Sequence, residues 1–192
     1  WQHLSPLQYK LLKVAKRNMQ KLFTGASKNK ALDTSLINEC SEIIVEVAQT
    51  GELGEVLDVL KEHHSYSFVH SLKVAALLAI FGVHTHIPES DIKKMTQGGL
   101  LHDLGKSLTP RDILDKPSKL TEDEWTTMKQ HVDLTMEILD NTPGMSPEII
   151  EIAGQHHEKM DGSGYPYGLK GAQISDLGLV ASIVDVYSAL VD

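Results

Sequence analysis

Hydrophobic side chains recur at intervals of three and four residues along most of the chain, which is the spacing of amphipathic helices. The first such segment spans 6–23 and places Leu7, Leu11, Val14 and Leu22 on one side. The same spacing predicts helices over 33–49, around Val56, Leu57 and Leu60, over 66–81, and over 177–191. Because the alternating pattern of strands is nearly absent, the sequence predicts an all-α fold.

Capping residues and prolines place the other helix ends. Pro88-Glu89-Ser90 begins a helix that runs to His102, and a short helix lies between Pro110 and Lys116. The capping box that opens at Thr121 predicts one helix through about Leu139. Pro147 begins a helix that runs through His156 and His157, and 161–171 is a loop rich in glycine and proline.

The polar segment 24–30 predicts a boundary between an N-terminal linker helix, 1–30, and a domain at 31–192. The polar face of that helix carries five basic residues: Lys10, Lys13, Lys16, Arg17 and Lys21. Two interpretations stay open, a solvated face of a connecting helix or a signalling helix from an upstream sensor module. Because the chain starts at Trp1 without Met, we expect a fragment of a longer protein, incomplete at the C-terminal end as well.

The net charge and the cysteine content limit the classes of ligand and partner that the chain can bind. The formal net charge is −8, so a basic surface for a nucleic acid duplex is not expected. A small anionic ligand is still allowed, because a bound metal reverses the local field. Cys40 is the only cysteine, which excludes thiolate-rich metal sites and suits a core residue of a reduced, cytoplasmic protein. No apolar run approaches ~18 residues, so we expect no membrane contact by this segment.

The most informative stretch is Leu100-Leu101-His102-Asp103-Leu104-Gly105-Lys106. If His102 and Asp103 end a helix, their side chains point about 100° apart, and one metal ion cannot easily bind both. Two neighbouring ions can, with Asp103 as the bridge. We expect Gly105 to leave the helix in a left-handed conformation and Lys106 to return to the site.

Further candidate ligands are dispersed along the chain. Asp185 lies in an apolar helix, where an ionised carboxylate is costly unless it is paired or bound to a metal. For a single histidine, a hydrogen-bonded core position is the alternative. The candidate set is His70, His102, Asp103, His131, His156, His157 and Asp185. Imidazoles and carboxylates without thiolates suit two divalent first-row ions, iron or manganese, with zinc and nickel as alternatives. The pairs His63-His64 and His84/His86 are interpreted as facing solvent.

These residues and their spacings resemble the HD superfamily of metal-dependent phosphohydrolases, and within it the HD-GYP branch. The branch signature reads His156-His157-Glu158-Lys159-Met160-Asp161-Gly162-Ser163-Gly164-Tyr165-Pro166. Further matching segments are His70–Val74, the HDLGK stretch that ends at Lys106, Lys116–Thr121, Glu124-Trp125 through His131, and Asp185–Tyr187. The resemblance implies an HD-domain helical bundle around a buried metal centre, and phosphodiesterase activity on cyclic di-GMP or a related cyclic dinucleotide.

The resemblance also implies roles for individual residues. The seven candidates would hold the metals, Asp103 would bridge them, and Lys106 would contact the substrate phosphate, which makes Asp103 and Lys106 the catalytic pair. A substrate-binding wall would be formed by Asp161, Gly162, Gly164, Tyr165 and Pro166. The family further implies docking of a diguanylate cyclase (GGDEF) domain on this loop, and it is compatible with a homodimer.

Three positions depart from the family pattern. Tyr66 stands where some members carry a Glu for a third metal, so two metals are expected. Ser188 replaces an Asp, and Leu179 replaces an Arg, while the family's Arg-Pro-Tyr stretch would follow Asp192. Three functions therefore stay open: a phosphodiesterase that yields linear dinucleotide and GMP, a low-turnover module that binds a cyclic dinucleotide or partner protein, and a general HD nucleotide phosphohydrolase.

Overall fold

The computed structural model describes residues 3–28, 30–61 and 67–191, with Ser67 described by its backbone only. This part of the chain is helical and contains no strand, which confirms the all-α prediction. The α-helices are α1 (Pro6–Ala26), α2 (Thr34–Thr50), α3 (Leu53–Lys61), α4 (Ser67–His84), α5 (Glu89–Leu101), α6 (Arg111–Leu114), α7 (Glu122–Lys129), α8 (His131–Asp140), α9 (Pro147–Gln155) and α10 (Asp176–Leu190). Two short 3-10 helices span Leu104–Leu108 and Gly171–Gln173.

Helix α5 lies at the centre of the bundle, and His102 and Asp103 follow directly after its C-terminal end. It packs against α4, α9 and α2. Two glycines allow these close contacts: a Cβ at Gly99 would lie 2.7 Å from the Ala75 Cα of α4, and one at Gly98 would lie 2.7 Å from the Ile152 side chain of α9. Close packing around α5 therefore fixes the position of the residues that follow it.

Helix α1 belongs to the same core as the rest of the bundle. Its apolar face is buried, including Leu11, Ala15 and Met19, and it packs against α2. The guanidinium of Arg17 contacts the Glu39 carboxylate at 2.7 Å, which adds a bridge to α2. The remaining basic side chains of this face are exposed, as a solvated face predicts. The boundary at residue 31 stays a prediction.

The single helix predicted from Thr121 to Leu139 is wrong, because the structure has two helices that meet at Gln130. The capping box is present: the Thr121 hydroxyl accepts the Glu124 N–H, and the Glu124 carboxylate accepts the Thr121 N–H. The break occurs where the His131 ring donates to the Met128 carbonyl at 2.7 Å. In a continuous helix that carbonyl would accept the Val132 N–H, whereas here it accepts the His131 ring and the Gln130 N–H.

Two further local predictions are wrong. Gly105 does not have a positive φ and lies within the 3-10 helix Leu104–Leu108. Glycine is required there by packing instead, since a Cβ would press into the backbone of α8 at His131 and Thr135. The predicted helix through His157 also stops early: α9 ends at Gln155, and His156 forms its C-cap.

Other predicted positions agree with the structure. Cys40 is buried, and His84 and His86 are exposed. The predictions for His63-His64 and Tyr66 concern positions outside the described residues. Among the helices described, none has the length and apolar character that a membrane span requires.

Candidate metal centre

The Asp103 carboxylate lies at the middle of a cluster of imidazoles. It is 1% exposed and follows the C-cap residue His102 of α5. Its Oδ1 lies 3.2 Å from His131 Nε2 and 3.6 Å from His156 Nε2. Its Oδ2 lies 3.4 Å from His102 Nε2 and 3.9 Å from His70 Nε2. The carboxylate therefore faces ring nitrogens from four segments of the chain.

The cluster divides into two groups of potential metal ligands that share Asp103. One group comprises Asp103, His131, His156 and His157, and the other comprises His70, His102, Asp103 and Asp185. Within each group the ligand atoms all lie within 4.8 Å of one another. All seven residues selected from the sequence are thus brought together, and a shared carboxylate suits a bridge between two ions.

Backbone carbonyls fix the orientation of three of the rings. Nδ1 of His102, His131 and His156 donates to the carbonyls of Gly99, Met128 and Ala153, at 2.6, 2.7 and 2.9 Å. Each carbonyl lies three residues before its histidine. Because a carbonyl only accepts, the proton resides on Nδ1 and the Nε2 lone pair is free to bind a metal.

Those lone pairs have no hydrogen-bonding partner in the described structure. The buried atoms without one include Nε2 of His102, His131 and His156, and Oδ1 of Asp103. All four atoms are acceptors that face one another, which explains why contacts of 3.2 to 3.6 Å do not form hydrogen bonds. Leaving a buried acceptor unsatisfied costs about 1–3 kcal/mol. Divalent ions would satisfy all of them, so the residues present fit a metal centre.

The charge states also suit metal binding. Burial lowers the pKa of His157 to about 2 and also lowers the pKa of His156, so both rings stay neutral ligands. Burial alone would raise the pKa of Asp103, but the Lys106 ammonium and His102 outweigh it and hold that pKa well below its usual range. Against the same effect of burial, the neighbouring imidazoles of His102 and His70 lower the pKa of Asp185. Both acids are therefore carboxylates at neutral pH.

Helix α10 completes the second group of ligands. His70 Nε2 donates to Asp185 Oδ1 at 2.7 Å in this structure. On the far side of the ring, the hydroxyl of the buried Ser188 lies 3.4 Å from His70 Nδ1. The residue that departs from the family pattern therefore supports a candidate ligand, a role that the sequence did not indicate.

The loop after α9 forms one wall of the centre. The Tyr165 ring stacks on His157 with centroids 4.8 Å apart, and the Tyr165–Pro166 peptide bond is cis. A Cβ at Gly164 would lie 2.5 Å from Glu158 Cα, so only glycine fits. Asp161 is exposed and accepts the Ser163 N–H at 2.8 Å. Among these residues, Tyr165 contacts a candidate ligand, and the rest shape the loop.

Glu158 anchors this loop, although the sequence assigned it no role. It is 1% exposed. Its Oε1 accepts the Tyr167 N–H at 2.7 Å, and its Oε2 accepts the Leu169 N–H at 2.9 Å. The sequence does show an acidic residue directly after two histidines. It does not show that this residue accepts backbone N–H groups, because those bonds depend on the conformation of the loop.

Lys106 lies beside the cluster. Its Nζ is 2.7 Å from Asp103 Oδ2, and its side chain is 26% exposed. The chain thus returns Lys106 to the cluster, where its ammonium group contacts the buried carboxylate. Burial disfavours its charge, but Asp103 outweighs burial and raises the pKa of Lys106, so it is a cation.

Comparisons with known proteins show what this chain is similar to. The chain is 32% identical over 92% of its length to a protein named cyclic di-GMP phosphodiesterase from Pseudomonas aeruginosa, of which it spans 43%. It is 38% identical over 69% of its length to 3'3'-cGAMP-specific phosphodiesterase 1 of Vibrio cholerae, of which it spans 31%. The chain therefore spans less than half of either relative.

A solved structure supports the fold. An HDG"Y"P protein from Bdellovibrio bacteriovorus superposes with a TM-score of 0.73 at 18% sequence identity, over 98% of this chain and 62% of that one. The sequence profile described as HD domain matches residues 54–192, which is most of the chain and includes every candidate ligand. The chain belongs to the HD domain family.

Proposed function

We propose that this domain hydrolyses cyclic di-GMP, or a related cyclic dinucleotide such as 3'3'-cGAMP, to the linear dinucleotide and then to mononucleotides. The observation that carries the proposal is the pair of four-residue ligand groups that share Asp103, with the Lys106 ammonium 2.7 Å from that carboxylate. The names of the relatives support a cyclic dinucleotide as the substrate class.

The seven clustered residues would hold two divalent ions, iron or manganese, with zinc and nickel as alternatives. Such ions, when bound, supply an acidified water and neutralise phosphate charge. Asp103 would bridge the two positions, while the carbonyl bonds to His102, His131 and His156 hold those rings in the ligand orientation.

Lys106 would act on the substrate. Its side chain is 26% exposed, and its ammonium group lies 2.7 Å from Asp103 Oδ2, within reach of a phosphodiester bound at the cluster. There it can bind a non-bridging phosphate oxygen and stabilise the charge that develops on it in the transition state. Tyr165, stacked on His157, would exclude water from one side of the pocket.

The test is a product assay on metal-loaded protein. Protein loaded separately with iron, manganese or zinc is incubated with cyclic di-GMP, 3'3'-cGAMP and a generic phosphodiester, and linear products are separated by chromatography. We expect linear dinucleotide from at least one cyclic substrate, and loss of product in Asp103→Asn. Tight binding without turnover would favour the binding module, and hydrolysis of the generic ester alone would favour a general phosphohydrolase.

Two partner predictions stay proposals. Docking of a diguanylate cyclase (GGDEF) domain on the 161–171 loop is tested by pull-down with wild-type protein against a Tyr167→Ala variant, since Tyr167 is 57% exposed. A homodimer is tested by the mass in solution from light scattering. A cytoplasmic location is likewise a proposal, tested by fractionation of cells.

A further inference from the structure

An exposed tryptophan lies beside the metal centre. Trp125 of α7 is 46% exposed, and its ring meets the edge of Tyr165 at a centroid distance of 6.1 Å. Tyr165 in turn stacks on the candidate ligand His157 at 4.8 Å. Three rings thus lead from the cluster to the surface, and the outermost is about half exposed to solvent. A large aromatic side chain left half in water is typical of binding surfaces.

A cation accompanies this ring. Lys129 lies four residues after Trp125, on the same face of α7. Its Nζ is 6.0 Å from the centroid of the Tyr165 ring. Lys129 is partly buried and forms no ion pair within 4.0 Å with any carboxylate of the described residues. The nearby Lys116 differs, because it pairs with Glu124 at 2.5 Å. A half-exposed indole and an ammonium group without an ion pair among the described residues therefore flank the same tyrosine.

We propose that Trp125 and Lys129 form an outer subsite for the half of the substrate that is not being cleaved. The indole stacks one nucleobase, and the ammonium pairs with the second phosphate. This inference rests on the proposed function, since a cyclic dinucleotide carries two bases and two phosphates and one phosphate occupies the metal centre. Base stacking on aromatic side chains tolerates any base, because every base has a π-face.

Steady-state kinetics on the metal-loaded enzyme test the subsite. We expect Trp125→Ala to raise KM for the cyclic dinucleotide about tenfold, within the range measured for loss of one stacked base, with kcat within threefold. Trp125→Phe should restore most of the affinity, because it restores the aromatic face. Lys129→Met should raise KM and weaken the dependence of KM on salt.

The chain offers a control pair with the same spacing away from the metal centre. Tyr9 of α1 is exposed, and Lys13 follows it by four residues with its Nζ 5.4 Å from the centroid of the Tyr9 ring. Tyr9→Ala and Lys13→Met should leave KM unchanged. Equal effects of the two pairs of variants, or a KM within twofold of wild type in Trp125→Ala, would overturn the subsite.

A second measurement separates this inference from the proposed function. The sequence contains two tryptophans, so Trp1→Phe leaves Trp125 as the only indole fluorophore. If the wild-type enzyme shows no turnover, the proposed function fails, and the metal-loaded Trp1→Phe protein is titrated with cyclic di-GMP. Quenching that saturates, and that Lys129→Met weakens, still supports the subsite. Fluorescence that does not change rejects it.

Discussion

Replacing Gly105 with alanine is expected to damage the metal centre, although Gly105 binds no metal. A Cβ at this position would lie 2.8 Å from Thr135 N and 2.9 Å from the His131 carbonyl carbon, and closer still to the His131 carbonyl oxygen. The Gly105 N–H also donates to the buried Thr135 hydroxyl at 2.8 Å. The neighbours are backbone atoms of α8, which cannot rotate away as a side chain can.

The size of the effect follows from these distances. Restoring an ordinary separation of about 3.5 Å from Thr135 N requires α8 to move by at least about 0.7 Å. His131 would move with it, away from Asp103 Oδ1 at 3.2 Å. Forcing an extra methyl group into a packed site costs about 1–3 kcal/mol. At about 2–4 °C per kcal/mol for a chain of this size, we therefore expect a Tm lower by about 2–12 °C, and a metal affinity lower by at least tenfold.

Thermal unfolding and metal content measure the two effects. Metal per chain is determined by elemental analysis after dialysis against a competing chelator. Gly25→Ala is the control, because Gly25 of α1 has no atom within 4 Å of the added methyl group, and alanine there should be neutral or stabilising. If Gly105→Ala unfolds at the wild-type temperature and retains both metals, the packing argument is wrong.

Four further predictions concern single residues. Lys106→Met should retain the metals and reduce kcat about a hundredfold, because it removes a contact to the substrate phosphate but no metal ligand. Elemental analysis and the rate of hydrolysis check the two expectations. In metal-free protein, burial holds the pKa of His157 at about 2, whereas the unfolded chain has a histidine pKa of about 6.5. The free energy of unfolding should therefore fall as the pH drops below about 6.5, because the unfolded state binds a proton that the folded state does not. Urea unfolding should show a shallower fall in His157→Gln. Burial raises the pKa of Cys40 to about 12, so a thiol reagent at pH 8 should react after unfolding in urea and not before. Glu158→Gln should leave metal content unchanged but raise KM, because it weakens the two bonds that anchor the loop of Tyr165, and an unchanged KM would refute that role.

The fold could be predicted largely because its helices have periodic apolar faces and recognisable caps. The predicted segment 33–49 corresponds to α2, Thr34–Thr50, and the predicted segment 6–23 corresponds to α1, Pro6–Ala26. The division at Gln130 could not be predicted, because no proline or glycine marks it. It depends on a bond between a side chain and the Met128 carbonyl, and that bond forms only when the His131 ring is held in the core.

The ligand set could be predicted because imidazoles and carboxylates are rare in apolar helices, and because the resemblance assigns a metal-binding role to each of them. The residues that support the ligands could not be predicted. Gly105 was expected to adopt a left-handed turn conformation. Glycine is instead required there because the backbone of α8, 26 to 30 positions later in the chain, packs directly against it. Ser188 is an ordinary helix residue until α10 packs on α4 and brings it to His70. Such roles follow from long-range packing, which local patterns do not contain.

The centre shows how a protein can hold a metal site open at a cost in stability. Four buried acceptor atoms, three of them ring nitrogens, face one another without donors, and each costs about 1–3 kcal/mol. The bonds from Nδ1 to backbone carbonyls prevent the rings from turning to reduce that cost, because each bond is made at the end of a rigid helical turn. Ligands that cannot relax keep their lone pairs directed at the metal positions, so little reorganisation is needed on binding. Metal loading should therefore stabilise the fold strongly, since it removes unfavourable contacts as well as adding favourable ones.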